Sequence, residues 1–297
     1  MPTLEENRGW AGHDWSRGGE EWSAGWGSTA QMWYGFLWPR LHPYLPAGHV
    51  LEIAPGFGRC TAHLLPLASR LTGVDLVQEC VDACRQRFAA FPHARFHGND
   101  GCTLGMVDSA SVDFAFSWDS LVHVEEDVMA SYLGELARVL KPGAFGFLHH
   151  SNLAGIDGAR ISNSHWRGRT MSAERFRAIA DALDLVCIAQ ELVPWGGEEP
   201  IDALTLFCRP EPGRPHAEPA RVSINGGFLE EVARMRAIGA LYARPAAAPP
   251  AGSHVAGPWP EVTSEPTRAV GRLARVLRAL RFQRAVVRGM RRPVEPM

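Results

Sequence analysis

The chain has 297 residues, 46% of them apolar, and a net charge of −2. That length is enough for one substantial core with additions, and that charge balance gives no general attraction for nucleic acid. No run approaches the 18 apolar residues of a transmembrane segment and the first residues are polar; with six scattered cysteines and no Cys-x-x-Cys pair, this predicts a cytoplasmic protein with reduced thiols.

Residues 1–47 hold six of the ten tryptophans: Trp10, Trp15, Trp22, Trp26, Trp33 and Trp38. A helix is predicted over 29–42, stopping near Pro43. So many indoles must pack on something, either as a helix docked on the core or as a lid over a ligand cleft. From residue 49 strands and helices alternate. Strands are predicted at 49–54, 70–75, 94–97, 112–117 and 144–149, and helices at 58–69, 78–90 and 124–140. In the last helix Val128, Tyr132, Leu133, Leu136, Val139 and Leu140 share a face, and Lys141-Pro142-Gly143 ends it. Ser172 caps a further helix reaching about Leu183. Strands at 185–192 and 201–208 then form a hairpin around Trp195-Gly-Gly197 that adds an antiparallel strand, so the core is expected to end near Pro210.

The order implies an α/β, Rossmann-like, doubly wound sheet of seven mostly parallel strands. The expected division is a Trp-rich helical arm (1–47), the core (48–210), a helical extension (211–243), a Pro/Ala linker (244–260) and an Arg-rich amphipathic helix (261–297). The linker holds five prolines and five alanines, and the last segment nine arginines against Glu261, Glu265 and Glu295, a net +6. That helix reads as docked on its own acidic domain or on a partner subunit, as a ligand of an anionic surface, or as disordered. With the tryptophan arm it makes a homodimer an expectation.

The stretch Val50-Leu-Glu-Ile-Ala-Pro-Gly-Phe-Gly-Arg59 reads as strand, tight glycine turn and helix start. Asp75 follows 17 residues after Gly58, at the end of the second strand. Such a unit holds an adenosine-type cofactor: the turn brings backbone to the ligand and the acid binds ribose hydroxyls. These residues resemble class I S-adenosylmethionine-dependent methyltransferases over about 48–209. Glu52-Ile-Ala-Pro-Gly-Phe-Gly58 matches the glycine-rich motif, with Ala54 standing where that family usually has glycine and Pro55 stiffening the turn. Asp75 matches the acid of the second strand, Asn99-Asp100-Gly101 the adenine-recognising region, Ser117-Trp118-Asp119-Ser120 the loop beside the methyl donor, and Leu140-Lys-Pro-Gly143 the turn before the fifth strand.

The resemblance implies S-adenosyl-L-methionine as cofactor, held by Glu52, Ala54, Pro55, Gly56, Gly58, Arg59, Asp75, Leu76, Asn99, Asp100, Gly101, Cys102, Ser117 and Trp118. Glu52 braces the turn or meets the donor's ammonium through water. Asp75 binds ribose or caps the next helix. Asp100 takes the adenine amino group, with the Cys102 N–H on a ring nitrogen, or else closes an Asx-turn with Gly101. More narrowly, Phe57-Gly58-Arg59, Trp118 to His123 and His149-His150-Ser151-Asn152 resemble bacterial enzymes that methylate sugars or glycosylated natural products. That implies O-methylation of a small-molecule sugar hydroxyl by a histidine base. His123, His149 and His150 are the candidates, with His149 favoured for the cleft and Asp119 as orienter or substrate ligand. Strand alternation lets at most one of His149 and His150 face the substrate. Asn152, Trp166 and Arg167 are candidate substrate contacts, Arg167 toward a phosphate or carboxylate. No metal site is expected, because no dense carboxylate cluster accompanies Asp119 and the histidines. The alternatives are N-methylation of an amine drawn in by Asp119 and Glu125, a cofactor-binding subunit without chemistry of its own, and a nicotinamide oxidoreductase.

Overall fold

Alternating apolar strands and amphipathic helices from residue 47 onward assemble one eight-stranded sheet, in order β3-β2-β1-β4-β5-β7-β6-β8. The computed structural model describes residues 9, 12–158, 164–195, 197–213 and 218–242. The predicted linker and Arg-rich helix lie outside the described residues. In chain order the strands are β1 (Ala47–Ile53), β2 (Ala68–Asp75), β3 (Ala94–Gly98), β4 (Val112–Ser117), β5 (Leu140–Ser151), β6 (Val186–Val193), β7 (Asp202–Cys208) and β8 (Arg221–Ile224). Helix α1 runs through Thr29–Gln31, a π-wound stretch Met32–Leu37 and Trp38–Leu41, with the Ser28 side chain accepting from the Gln31 N–H at its start. The others are α2 (Thr61–Leu64), α3 (Gln78–Arg87), α4 (Glu126–Val139), α5 (Ala173–Ala182) and α6 (Phe228–Leu241).

Strands β1, β2, β3, β4 and β5 are parallel, and β7 runs antiparallel between β5 and β6. The central strands are buried along most of their length, as a sheet covered on both faces requires. Strand order reverses between β1 and β4, and at such a point the loops leaving the carboxyl ends part to form a crevice. The glycine turn after β1, the end of β2 and the loop after β4 all border it.

Three elements differ from expectation. The helix predicted over 58–69 is only α2 plus a tight turn at Leu65–Leu67, where Pro66 sits and the chain becomes extended at Ala68. Strand β5 starts directly at Leu140, with Gly143 at φ +80° inside it, so Lys141-Pro142-Gly143 is strand rather than turn. The sheet does not end at the β6–β7 hairpin, because β8 pairs in parallel with β6. All four β8 residues are exposed, so no burial period marked it in the sequence.

The arm is docked: Trp33, Phe36, Leu37 and Leu41 are buried, and Arg40 binds Glu191 of β6 with bonds of 2.7 and 2.6 Å. Helix α6 delivers Phe228, 1% exposed, against Trp26, Phe36 and Trp195 at centroid distances of 6.2, 5.4 and 5.8 Å. Residues beyond Pro210 therefore complete the core. Truncating Phe228 to alanine leaves a cavity there and is expected to lower unfolding free energy by about 3 kcal/mol. Leu241→Ala, at an exposed α6 position, changes it by less than about 0.5 kcal/mol; urea denaturation of the two variants measures both.

Candidate active site

Asp75 ends β2 with its carboxylate 6% exposed. One oxygen accepts the Gly56 N–H (3.0 Å) and the other the Val77 N–H (2.9 Å) at the head of α3. The acid therefore latches the glycine turn and caps the helix while still facing the crevice. Burial raises its pKa, against the lowering effect of these N–H donors. Ala54 takes the left-handed conformation, φ +56°, that its family counterpart leaves to glycine, and its N–H donates to the Val74 carbonyl (2.7 Å). Gly58 is required twice over: its φ is +81°, and a Cβ there would lie 2.5 Å from the Phe88 ring; its N–H closes the turn onto the Pro55 carbonyl.

Along these elements runs a cavity of about 480 Å³, within the usual range for small-molecule sites. Ala54, Gly56, Asp75, Leu76, Val77, Cys80, Gly101 and Tyr132 form one part of its lining. Asp119, Ser120, Leu121, His123, Val124, His165, Trp166, Arg167, Trp195, Trp15 and Trp22 line the rest. A nearly buried acid, backbone at Gly56 and Gly101 along the wall, and a chamber of this volume are compatible with an adenosylated ligand.

Of the expected cofactor residues, Ala54, Gly56, Asp75, Leu76 and Gly101 border the cavity. The others stand behind its wall. Glu52 is buried and accepts from the Thr61 hydroxyl, bracing the turn. The Asp100 carboxylate is exposed and accepts from the N–H groups of Cys102 and Thr103, which is the Asx-turn alternative and occupies the Cys102 N–H as well. Asn99 bonds the Gly101 N–H, the Thr103 carbonyl and the Tyr132 oxygen. Pro55 stays within the turn, Ser117 is buried, and Trp118 stacks on the His149 ring at 4.5 Å. Arg59 turns inward: it donates to Ser23 of the arm (2.7 Å) and pairs with Asp119 (2.8 Å), both side chains under one-tenth exposed.

The histidines separate clearly. His149 and His150 do point to opposite sides of β5, yet both sides are interior. The His149 ring accepts the Asp119 N–H on Nδ1 (3.2 Å) and donates from Nε2 to Asp202 (3.0 Å). His150 bonds Thr205 and the Ser151 carbonyl, stacks on Phe176, and is pulled down to about 4 by burial. Neither borders the cavity, so the expectation of His149 in the cleft is corrected: Trp118 and Trp195 pack on its ring at 4.5 and 5.5 Å, and Asp202 of the neighbouring β7 holds Nε2. His123 does border it. Its Nδ1–H donates to the Trp166 carbonyl (3.0 Å), leaving the ring's lone pair on Nε2, and burial lowers its pKa.

Asn152 is structural, bonding the Pro200 carbonyl and the Ala173 N–H. Arg167 reaches the cavity wall but spends its fork on Asp202 (2.9 and 2.8 Å) and lies 5.0 Å over the Trp195 ring. Burial alone would raise Asp202, but Arg167 and His149 outweigh it and hold the carboxyl well below the usual range. The expected phosphate or carboxylate contact is thus replaced by an internal carboxylate. Trp166 is exposed, and it follows His165 in a second consecutive left-handed position (φ +47° and +56°). Sequence reasoning missed Asp202, an acid inside an apolar strand whose partners are 35 and 53 residues away. It also read Tyr132 only as a core position.

Residues 50–143 match a family model described as a methyltransferase domain. No curated protein matches the chain. Among solved structures it is similar to a putative methyltransferase from Haloferax volcanii, determined in complex with the Trm112 methyltransferase activator (TM-score 0.50, 19% identity, covering 69% of this chain and 98% of that one). It is also similar to a SAM-dependent methyltransferase from Methanosarcina mazei (TM-score 0.47, 18% identity, 58% of this chain and 98% of that one). A third is the geranyl diphosphate C-methyltransferase of Streptomyces coelicolor, solved with Mg2+, geranyl diphosphate and S-adenosyl-L-homocysteine (TM-score 0.47, 15% identity, 58% and 77%). Residues 50–143 thus match a methyltransferase domain, within a sheet whose fold is that of the solved methyltransferase structures.

Burial pushes the Glu52 carboxyl up to about 7. A folded-state pKa above the unfolded one means that its stabilising contribution is complete below the unfolded value and is lost as pH rises through about 7. Wild-type melting temperature is expected to fall between pH 5 and 8 relative to Glu52→Gln, which removes this titration; parallel curves would refute the assignment.

Proposed function

We propose that the chain is an S-adenosylmethionine-dependent methyltransferase that methylates a sugar hydroxyl on a glycosylated metabolite, with His123 as general base. The carrying observation is His123 itself: of the three candidate histidines it alone borders the cavity, and its Nδ1–H is fixed on the Trp166 carbonyl. Its lowered pKa keeps it unprotonated near neutral pH. When bound, the donor supplies a methyl group activated by its sulfonium, displaced in line with a thioether leaving. Nε2 takes the hydroxyl proton as the oxygen–carbon bond forms, so the products are the methyl ether, the thioether and an imidazolium that must then lose its proton. Walls that hold the two reacting atoms about 3 Å apart would supply the orientation.

The charge inventory supports a neutral hydroxyl over an amine. N-methylation needs a carboxylate to draw in an ammonium group, but Asp119 is neutralised by Arg59 and Glu125 is not among the residues lining the cavity. Trp15, Trp22, Trp166 and Trp195 supply flat apolar surfaces of the kind on which sugar faces stack.

His123→Ala is expected to lower turnover about 100-fold while leaving S-adenosylhomocysteine affinity unchanged. Wild-type kcat falls on the acid side, below the ordinary histidine pKa, as Nε2 becomes protonated. Labelled donor incubated with matched neutral and amino glycosides, followed by NMR location of the new methyl, tests the acceptor class. Methylation at nitrogen, or an alanine variant within tenfold of wild type, would overturn the reading.

A further inference from the structure

We infer that Tyr132 is a donor-binding residue that donates its phenol O–H to the adenosine half of S-adenosylmethionine. Tyr132 sits on the inward face of α4, 4% exposed, and borders the cavity at the end shared by Asp75, Leu76 and Gly101. Its oxygen accepts from the Asn99 side-chain amide at 3.0 Å. That amide cannot turn round, because its own oxygen accepts the Gly101 N–H (3.0 Å) and its nitrogen also donates to the Thr103 carbonyl (2.9 Å). The phenol oxygen is therefore held as an acceptor on the Asn99 side, and its hydrogen turns elsewhere. No acceptor for that hydrogen is present among the described residues. A nearly buried O–H without a partner is costly unless a ligand satisfies it.

The neighbouring turn strengthens the assignment. Asp100 and the Cys102 N–H, the groups expected to read the adenine, are consumed by each other. Adenosine offers several acceptors, both ring nitrogens and ribose oxygens, and a fixed phenol facing this end of the cavity meets that chemistry. Burial also raises the phenol pKa, so the group remains a donor throughout the working pH range.

The inference rests on the cavity being the donor site, and the test separates the two. Calorimetric titration of S-adenosylhomocysteine into the full chain is expected to show tight binding for wild type. Tyr132→Phe should weaken it about five- to tenfold, the loss of one buried hydrogen bond, with an unchanged ligand-free melting temperature. Asn99→Asp keeps the acceptor for the Gly101 N–H but offers the phenol a carboxylate, drawing its hydrogen away from the cavity; it should weaken binding to a similar degree. Tight wild-type binding with both variants within twofold would overturn the role of Tyr132 alone. No heat from wild type would overturn the donor site and this inference together.

Discussion

The buried ion pair between Arg59 and Asp119 is the constraint around which the site is arranged. Arg59 follows the glycine turn and Asp119 follows β4, so the pair closes the crevice floor across the switch point. Its second guanidinium nitrogen binds Ser23, which brings the arm into the same junction. Pairs of this kind contribute little net stability over apolar packing, because desolvation offsets most of the attraction. Removing one partner is costly, however, since the other charge remains buried. Such a pair specifies geometry more than it adds stability, and what it specifies here is the left-handed Asp119, φ +58°, at the cavity wall.

From Asp119 the network continues. Its N–H is held by His149, His149 by Asp202, and Asp202 by the fork of Arg167. Asp119, Asp202 and Arg167 thus each have an internal counter-charge, and the cavity presents tryptophan faces beside His123 and His165. The same pairing explains why the strand histidines are scaffold: both nitrogens of His149 are committed to holding the loop after β4. Asp75 differs because its N–H donors come from the glycine turn and the helix head that border the cavity.

The donor half was legible in sequence because its chemistry is local. A glycine turn with an acid at the end of the next strand reports its geometry within some 25 residues, and the alternation of strand and helix gave the crevice. Gly58 was read as a ligand contact; its left-handed turn backbone is a local signal, but the Phe88 ring that also excludes a side chain there lies 30 residues away, where no local pattern marks it. The acceptor half depends on partners brought together by the sheet. Asp202 lies in an apolar strand and gave no sign of meeting Arg167 and His149. Period-two alternation correctly sent His149 and His150 to opposite faces, but it carries no information on which face is covered. Tyr132 fell on a helical apolar stripe, where core packing is the ordinary reading. Strand β8 escaped notice because an exposed edge strand of four residues has no hydrophobic pattern.

A crystal of the protein soaked with S-adenosylhomocysteine tests the central claim most directly. The account predicts the nucleoside between the Gly56 turn and Gly101, with both ribose hydroxyls on the Asp75 carboxylate and the homocysteine chain running toward Asp119. A ligand bound elsewhere, or a ribose out of hydrogen-bond reach of Asp75, would contradict it.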